Sequence, residues 1–202
     1  MNLNEYYSKL EKSKEYKDFI EQYPNAYLCS SFFMLDKENN TKEIHFDYYI
    51  KDENKMFSFK INLQNQNPTS IPHQVTQRLP PLNSKKSNNK SESEENYYTG
   101  DITISPTEFF DKRVPDKLNL NKKMEIDNFE KLIVEIMEKE NLKETVKKFL
   151  YSFQSVDGKN LLFATVFLSK LALLKVSIDI SKMEIIDFDK KSFFDIISFV
   201  KK

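Results

Sequence analysis

The stretch LLFATVFLSKLALLKVSIDI, residues 161 to 180, is the longest apolar region of the chain. It contains Lys170, Lys175 and Asp179, and each of these charges would be costly inside a bilayer. The stretch is therefore interpreted as buried strands and not as a membrane span.

Two strands are expected here, NLLFATVFL and ALLKVSIDI, in an antiparallel sheet that contains residues 160 to 188. Phe163, Val166 and Leu168 are predicted to be substantially buried in it. If Phe163 is a core residue, its replacement by alanine costs roughly 3–5 kcal/mol.

The flanking sequence extends this sheet. LYSFQSV precedes it through a Val-Asp-Gly-Lys turn, and MEIIDFD follows the Ser181-Lys182 turn. Further upstream, Asp127 is predicted to cap a helix whose apolar stripe continues after a phase slip through Leu142, Val146, Phe149 and Leu150. A closing helix is predicted from Asp189.

The first part of the chain repeats this order of elements. Helical spacing of apolar residues over 4–23 predicts a helix that slips near Ser13, a candidate cap for a second short helix. Three strand patterns follow at 26–35, 43–50 and 55–63, with polar turns between them. A helix followed by an antiparallel meander is expected.

Residues 64 to 98 change in composition, with four of the seven prolines and few large apolar groups. Such a segment buries too little surface to offset its ordering entropy, so we predict a flexible linker that trypsin cuts first at Lys85, Lys86 or Lys90. The alternative is a recognition motif, in which Pro80-Pro81 favours a polyproline conformation.

After the linker, Gly100 reads as a turn rather than a phosphate loop, which would need more glycines and a lysine. The alternating TGDITIS predicts a strand. Ser105-Pro106-Thr107-Glu108 resembles a helix cap, so a short helix with Phe109 and Phe110 is expected. KLNLNKKMEI, residues 117 to 126, alternates and predicts another strand.

These patterns predict an α+β protein with two helix-plus-antiparallel-sheet modules. The predicted boundaries are 1–63 for the first module, 64–98 for the linker and 99–202 for the second module. The modules either stand apart or pack as one unit. Direct alignment of the halves is poor, so a similar architecture is proposed rather than a repeat.

The ending KVSIDISKMEIIDFD resembles the hairpin of PepSY- or cystatin-like modules. The stretches KLEKSKEYKDFIEQYPNAYLC and LALLKVSIDI resemble uncharacterised small soluble proteins of archaea with reduced genomes. The first resemblance implies a helix-plus-meander fold over about 60 residues. The second implies no particular activity.

Composition restricts the function classes. The 31 basic and 31 acidic residues cancel, so no long-range field draws the chain to nucleic acid or to an anionic membrane. The single cysteine, Cys29, excludes an intramolecular disulfide and a zinc site built from cysteines. The polar, lysine-rich N-terminus does not resemble a signal peptide, so a soluble, cytoplasmic protein is expected.

The sharpest catalytic hypothesis is a Cys29–His45 dyad. Strand pairing through the 36–42 turn would place Cys29 opposite roughly Tyr49 and His45 opposite roughly Phe33. The two would then lie about 13 Å apart at about 3.4 Å per residue, too far to touch. A small buried cysteine and a solvated histidine are the simpler interpretation.

Other polar groups give no clear site. Asp179, Asp187 and Asp189 lie near one hairpin without the spacing of a metal loop. A predicted helix face carries lysines interleaved with glutamates, a pattern of solvent exposure: Lys139, Lys143, Lys147 and Lys148 among Glu138, Glu140 and Glu144. No catalytic, cofactor-binding or metal-binding residue is assigned, and no cofactor is expected.

The sequence therefore leaves the function open and favours a non-enzymatic, cytoplasmic binding module with a protein partner. Its surface is expected to be rich in tyrosine, including Tyr48, Tyr49, Tyr97 and Tyr98. A weak single-stranded nucleic-acid binder is one alternative, because aromatic groups stack on bases, although nucleic acid is disfavoured by the balanced charge. An enzyme with an unrecognised site is the other, and a homo-oligomer stays open.

Overall fold

The computed structural model describes residues 1–63, 102–107, 113–120 and 124–192. Over these residues the chain forms a mixed α and β fold, with one large antiparallel sheet and helices against it. The helices are α1 (Leu3–Lys12), α2 (Lys14–Gln22) and α3 (Ile126–Lys139). The strands are β1 (Tyr27–Asp36), β2 (Thr41–Ile50), β3 (Lys55–Asn62), β4 (Ile102–Thr107), β5 (Val146–Val156), β6 (Lys159–Leu168), β7 (Ala172–Asp179) and β8 (Glu184–Ser192).

The described strands form one eight-stranded sheet in the order β4-β3-β2-β1-β5-β6-β7-β8. Every neighbouring pair is antiparallel. The centre of the sheet is the pairing of β1 with β5, in which Phe33 lies opposite Tyr151. The expected α+β class and antiparallel sheet are confirmed.

The three described helices pack against the same face of the sheet, which we call the helix face. On α2, Phe19 packs edge-on against Phe59 of β3 at 5.2 Å between ring centroids. On α3, Phe129 contacts Phe153 of β5 at 5.8 Å. Buried aromatic and aliphatic side chains fill the space between, so burial of apolar area there is the main source of stability.

Two short helices replace a single helix over residues 4–23, as the slip near Ser13 indicated. The Ser13 side chain accepts a hydrogen bond from the Tyr16 backbone N–H at 3.1 Å and caps α2. Asn2 caps α1 in the same way through the Asn4 backbone N–H. Strands β1, β2 and β3 then follow close to their predicted bounds.

The prediction that a helix continues through Leu142, Val146, Phe149 and Leu150 is wrong. The helix ends at Lys139, and β5 begins at Val146. Phe149, Tyr151 and Phe153 alternate along β5 and lie buried on the helix face. Because β5 also pairs with β1 on one side and β6 on the other, a strand is more stable here than a continued helix.

The expected helix cap at Ser105-Pro106 is also wrong, because both residues lie in β4. Pro106 pairs with Phe57 of β3 and is accommodated because β4 is the last strand at that end of the described sheet. The predicted strand over residues 117–126 is wrong as well. Leu118 and Met124 are buried as their alternation suggested, but the described part contributes only an isolated bridge between Asn2 and Glu125.

Two predicted helix starts are corrected too. Asp127 lies inside the first turn of α3. Instead of capping the helix, its carboxylate accepts a hydrogen bond from the N-terminal amino group at 2.6 Å. Asp189 belongs to β8, where it lies opposite Lys175, so the closing helix does not begin there. The remainder of that helix, the linker with Pro80-Pro81, Gly100, and Phe109 with Phe110 lie outside the described residues.

The expected burial is confirmed for Val166 and Leu168, which are 0% and 5% exposed. It is wrong for Phe163, which is 37% exposed. Phe163 pairs with Ser152 and Ser177 on the face opposite the helices, so alternation along β6 directs it away from the core.

The β6–β7 turn is strained. Lys170 and Leu171 have φ angles of 60° and 54°, a left-handed conformation that favours glycine or asparagine. Leu171 is also 60% exposed, so little packing offsets this strain.

We therefore expect Leu171→Gly to raise the free energy of unfolding by roughly 1 kcal/mol. Chemical denaturation measures it. The matched control is Gly158→Ala in the β5–β6 turn, where φ is 74° and a Cβ meets nothing within 4 Å, so only the backbone conformation opposes it. That variant should lose stability, and a loss in Leu171→Gly would contradict the assigned turn.

Candidate functional site

The face of the sheet opposite the helices carries a group of large apolar side chains that are only partly buried. They lie on neighbouring strands in the centre of the sheet, because Phe32, Ser152 and Phe163 are opposite one another, as are Met34, Leu150 and Thr165. We call this group the apolar patch: Phe32, Met34, Leu150, Leu161, Phe163, Phe167 and Leu173.

The exposure of the patch follows from the fold. Each described helix contacts the helix face through aromatic side chains, Tyr7 with Phe46, Phe19 with Phe59, and Phe129 with Phe153. These helices therefore cannot cover the opposite face of the sheet, which we call the open face. Contiguous exposed apolar groups are typical of interaction surfaces, so the patch is a candidate binding site.

Beside the patch, strands β2 and β3 carry a polar cluster on the same open face. His45 contacts the Ser58 hydroxyl through Nδ1 at 3.2 Å and the Glu43 carboxylate through Nε2. Glu43 also pairs with Lys60 at 2.6 Å. The Ser30 hydroxyl donates to the Asp47 carboxylate at 2.6 Å.

The charge state of this cluster is set by its partners. Burial alone would raise the pKa of Glu43, but hydrogen bonds and positive charge from Lys60 and His45 hold that pKa below its usual value. Glu43 is therefore an ionised group held between two partners.

Ser58, His45 and Glu43 have the residue types of a hydrolytic triad. Three observations limit that chemistry. Ser58 is only 6% exposed. The Glu43 charge is shared with Lys60. Strands β2 and β3 are paired on both sides, so their backbone N–H groups are engaged in ladders and do not form an oxyanion hole.

Local sequence patterns did not predict this polar cluster. Glu43, His45 and Asp47 alternate along β2, which places them on one face, but the contribution of Ser58 and Lys60 depends on the pairing register of β3. The alternation along β2 was therefore the feature of the sequence from which part of this cluster could have been predicted.

Cys29 and His45 occupy separate environments. Cys29 lies at a bulge of β1, where its thiol donates to the Asp47 carbonyl at 3.3 Å. Burial, reinforced by the Asp47 charge, raises the pKa of the thiol to about 12, which disfavours the nucleophilic thiolate. His45 lies opposite Phe32 and not Phe33.

The expected tyrosine-rich surface is wrong for two of its members. Tyr48 is 2% exposed and donates to the Tyr7 hydroxyl at 3.0 Å, and Tyr49 is 1% exposed. Tyr97 and Tyr98 lie outside the described residues.

The three aspartates do not converge. Asp179 is engaged by the Ser181 backbone N–H and hydroxyl, which hold its pKa below the usual value, and Asp189 pairs with Lys191. Asp187 lies opposite Ser177. Within the described ranges, no three His, Cys, Asp or Glu residues are grouped to hold a metal ion.

The four lysines do not share a helix face either, and this expectation is wrong. Lys139 ends α3 and Lys143 follows it outside the regular elements, whereas two members lie on β5. Those two form ion pairs at the connection between β1 and β2, Lys147 with Glu38 at 2.6 Å and Lys148 with Asp36 at 4.0 Å.

The lowered pKa of Glu43 implies that its contribution to stability depends on pH. The carboxyl titrates near 4.5 when unperturbed and lower in the fold, so its stabilising contribution is complete above pH 4.5 and is lost as pH falls through the folded pKa. We expect the stability difference between wild type and Glu43→Gln to shrink in that window.

Urea denaturation between neutral and acidic pH measures this difference. In a Lys60→Met background the same difference should be smaller, because one partner of the carboxylate is gone. A difference that does not change with pH would show that Glu43 is not ionised in the fold.

No family model matches the chain, and no curated protein matches it. Its fold is similar to that in a crystal structure of a putative lipoprotein from Clostridium difficile. The two are 12% identical over 90% of this chain and 97% of that chain, with a TM-score of 0.50. At this identity the similarity shows the fold alone. The resemblances to PepSY-like and archaeal proteins stay predictions.

Within the part of the chain that the structure describes, none of the helices has both the length and the apolar character needed to cross a membrane.

Proposed function

We propose that this protein is a non-enzymatic interaction module that binds another protein through the apolar patch. The observation that carries this proposal is the position of Phe32, Phe163 and their neighbours on the sheet face that the described helices leave uncovered. Interface energy concentrates in a few large anchors, and partly exposed phenylalanines at the centre of a sheet are suited to that role.

The two outer strands of the described sheet, β4 and β8, are poorly suited to binding a partner by strand addition, which favours the open face as the binding surface. Pro106 interrupts the row of N–H groups that β4 would offer to an added strand. Strand β8 contains a bulge at Ile186 and carries the charged residues Asp187, Asp189, Lys190 and Lys191. Both features oppose strand addition.

Two modules are part of this proposal. In each half of the described chain, helical structure precedes four strands that are consecutive along the chain and adjacent in the sheet. The first strands of the two sets, β1 and β5, pair with each other. We propose that each set is one module and that the protein functions in the cytoplasm. Because β4 belongs to the first set, we propose residues 64–98 as a linker that joins β3 to β4 rather than one module to the other.

The alternatives have weaker support. Aromatic groups on an open sheet face suit base stacking, but carboxylates surround the patch and oppose a polyanion. They are Asp36, Glu43, Asp47, Asp179, Glu184, Asp187 and Asp189, against Lys60, Lys148, Lys159, Lys175 and Lys191 on the same face. An enzyme would depend on Ser58 and His45, so Ser58→Ala tests that alternative by loss of a measured turnover.

The test is affinity purification of the full chain from the cell that naturally makes it. Wild type is compared with Phe163→Lys and with Val134→Lys, a control that places the same charge at an exposed apolar position of α3. We expect a co-purifying protein that Phe163→Lys loses and Val134→Lys retains. Equal recovery by all three, or no co-purifying protein, would contradict the proposal.

A further inference from the structure

We propose that the partner segment presents a large apolar side chain together with a nearby lysine or arginine, which Glu184 and Asp187 at the rim of the sheet receive. This inference rests on the proposed function and names the chemistry of the partner. The apolar patch supplies the anchor site, and the rim supplies charge complementarity.

The register places the two features side by side. From Leu161 on β6, the row across the open face leads to Asp179 on β7 and Glu184 on β8. The row from Phe163 leads to Ser177 and then Asp187. Two strand spacings separate each anchor from its carboxylate, about 10 Å at about 4.8 Å per strand. A partner that covers the anchor can therefore reach the rim with a long basic side chain.

The rim carboxylates differ from the other acidic groups near the patch. Asp179 accepts hydrogen bonds from Ser181, Asp189 pairs with Lys191 at 3.1 Å, and Glu43 pairs with Lys60 and His45. Within the described residues, no side-chain hydrogen bond or ion pair engages Glu184 or Asp187, and both residues are exposed.

The bulge in β8 contributes to this arrangement. The pairing shifts between Ser177 and Ile178, so Ile186 is an extra residue between the positions of Glu184 and Asp187. A bulge bends its strand and re-aims nearby side chains. Ile186 is 58% exposed and adds apolar surface between the two carboxylates.

No ion pair within the described residues joins a lysine of this face to Glu184 or Asp187. Lys191 is already paired with Asp189, and Lys175 lies opposite Asp189 rather than opposite Glu184 or Asp187. A second copy of the chain would present this same face, on which seven carboxylates outnumber five lysines, so a basic partner segment is the better fit.

Two designed peptides test the inference with the full chain. One alternates leucine with lysine, and the other has every lysine replaced by glutamate; fluorescence anisotropy measures their binding. We expect the lysine peptide to bind, more weakly as salt rises, and the glutamate peptide not to bind. The double variant Glu184→Gln/Asp187→Asn should weaken binding by about two- to fivefold for each carboxylate.

A matched control removes two carboxylates from the exposed side of α3, Glu135→Gln/Glu138→Gln, and should leave the affinity unchanged. Phe163→Ala should weaken binding of the lysine peptide by about tenfold or more, since it removes an anchor. Circular dichroism verifies that each variant is folded.

The outcomes separate the two proposals. Equal binding of both peptides that still depends on Phe163 would overturn the basic partner and support the docking face. Binding of neither peptide, or binding that does not depend on Phe163, would contradict the docking face as well. Self-association that Phe163→Ala abolishes would assign the face to a second copy and overturn the basic partner.

Discussion

Phe153→Ala should lower the free energy of unfolding by roughly 3–5 kcal/mol. Phe153 is 0% exposed, and its ring packs edge-on against Phe129, so its removal leaves a cavity between α3 and the centre of the sheet. The cost combines lost burial with lost packing around that cavity. Urea or guanidinium denaturation, monitored by circular dichroism, measures the change.

The matched control is the same substitution at Phe163, on the neighbouring strand. Phe163 is 37% exposed on the open face, so Phe163→Ala should cost less than about 1 kcal/mol. Equal losses in the two variants would mean that the open face is covered as well as the helix face, and would remove the basis of the proposed docking site.

Tyr151→Phe should raise the free energy of unfolding by about 1–3 kcal/mol. The Tyr151 side chain is fully buried between stacked rings of Phe33 and Phe149. Within the described residues, its hydroxyl has no hydrogen-bond partner. Burial, with smaller effects from Glu130 and Asp127, raises the pKa of the phenol above its usual value, so the hydroxyl stays neutral. Phenylalanine fills the same space without burying an unpaired donor.

Tyr48→Phe provides the control of opposite sign. The Tyr48 hydroxyl donates to Tyr7 at 3.0 Å, so its removal should cost about 1 kcal/mol. Chemical denaturation of both variants under one set of conditions gives the comparison. A loss of stability in Tyr151→Phe as large as that in Tyr48→Phe would show that the Tyr151 hydroxyl is satisfied in solution.

Much of the sheet could be predicted because its strands alternate strongly. The bounds of β2 and β3 follow from Ile44, Phe46 and Tyr48 and from Phe57, Phe59 and Ile61, which line one face. Strand β5 could not be predicted in full because its apolar residues fit two periods. Phe149 and Leu150 extend a helical stripe, whereas Phe149, Tyr151 and Phe153 alternate, and only the pairing with β1 decides between them.

The candidate site was harder to predict for a related reason. Strand β6 is apolar on both faces, so alternation separates Leu162, Ala164 and Val166 from Phe163 and Phe167 without indicating which set meets the helices. The polar cluster needs the register of β2 against β3, which joins His45 to Ser58. Long-range pairing is the information that local sequence patterns lack.

The pairing of β1 with β5 also bears on how fast the chain reaches its native state. Most strands pair with a sequence neighbour through a short connection, and such contacts form early. Ser31 and Phe153, in contrast, meet across more than half of the sequence, so closing that loop carries a larger entropic cost. We expect the two meanders to collapse first and the central pairing to limit the rate, with refolding in milliseconds to seconds rather than microseconds.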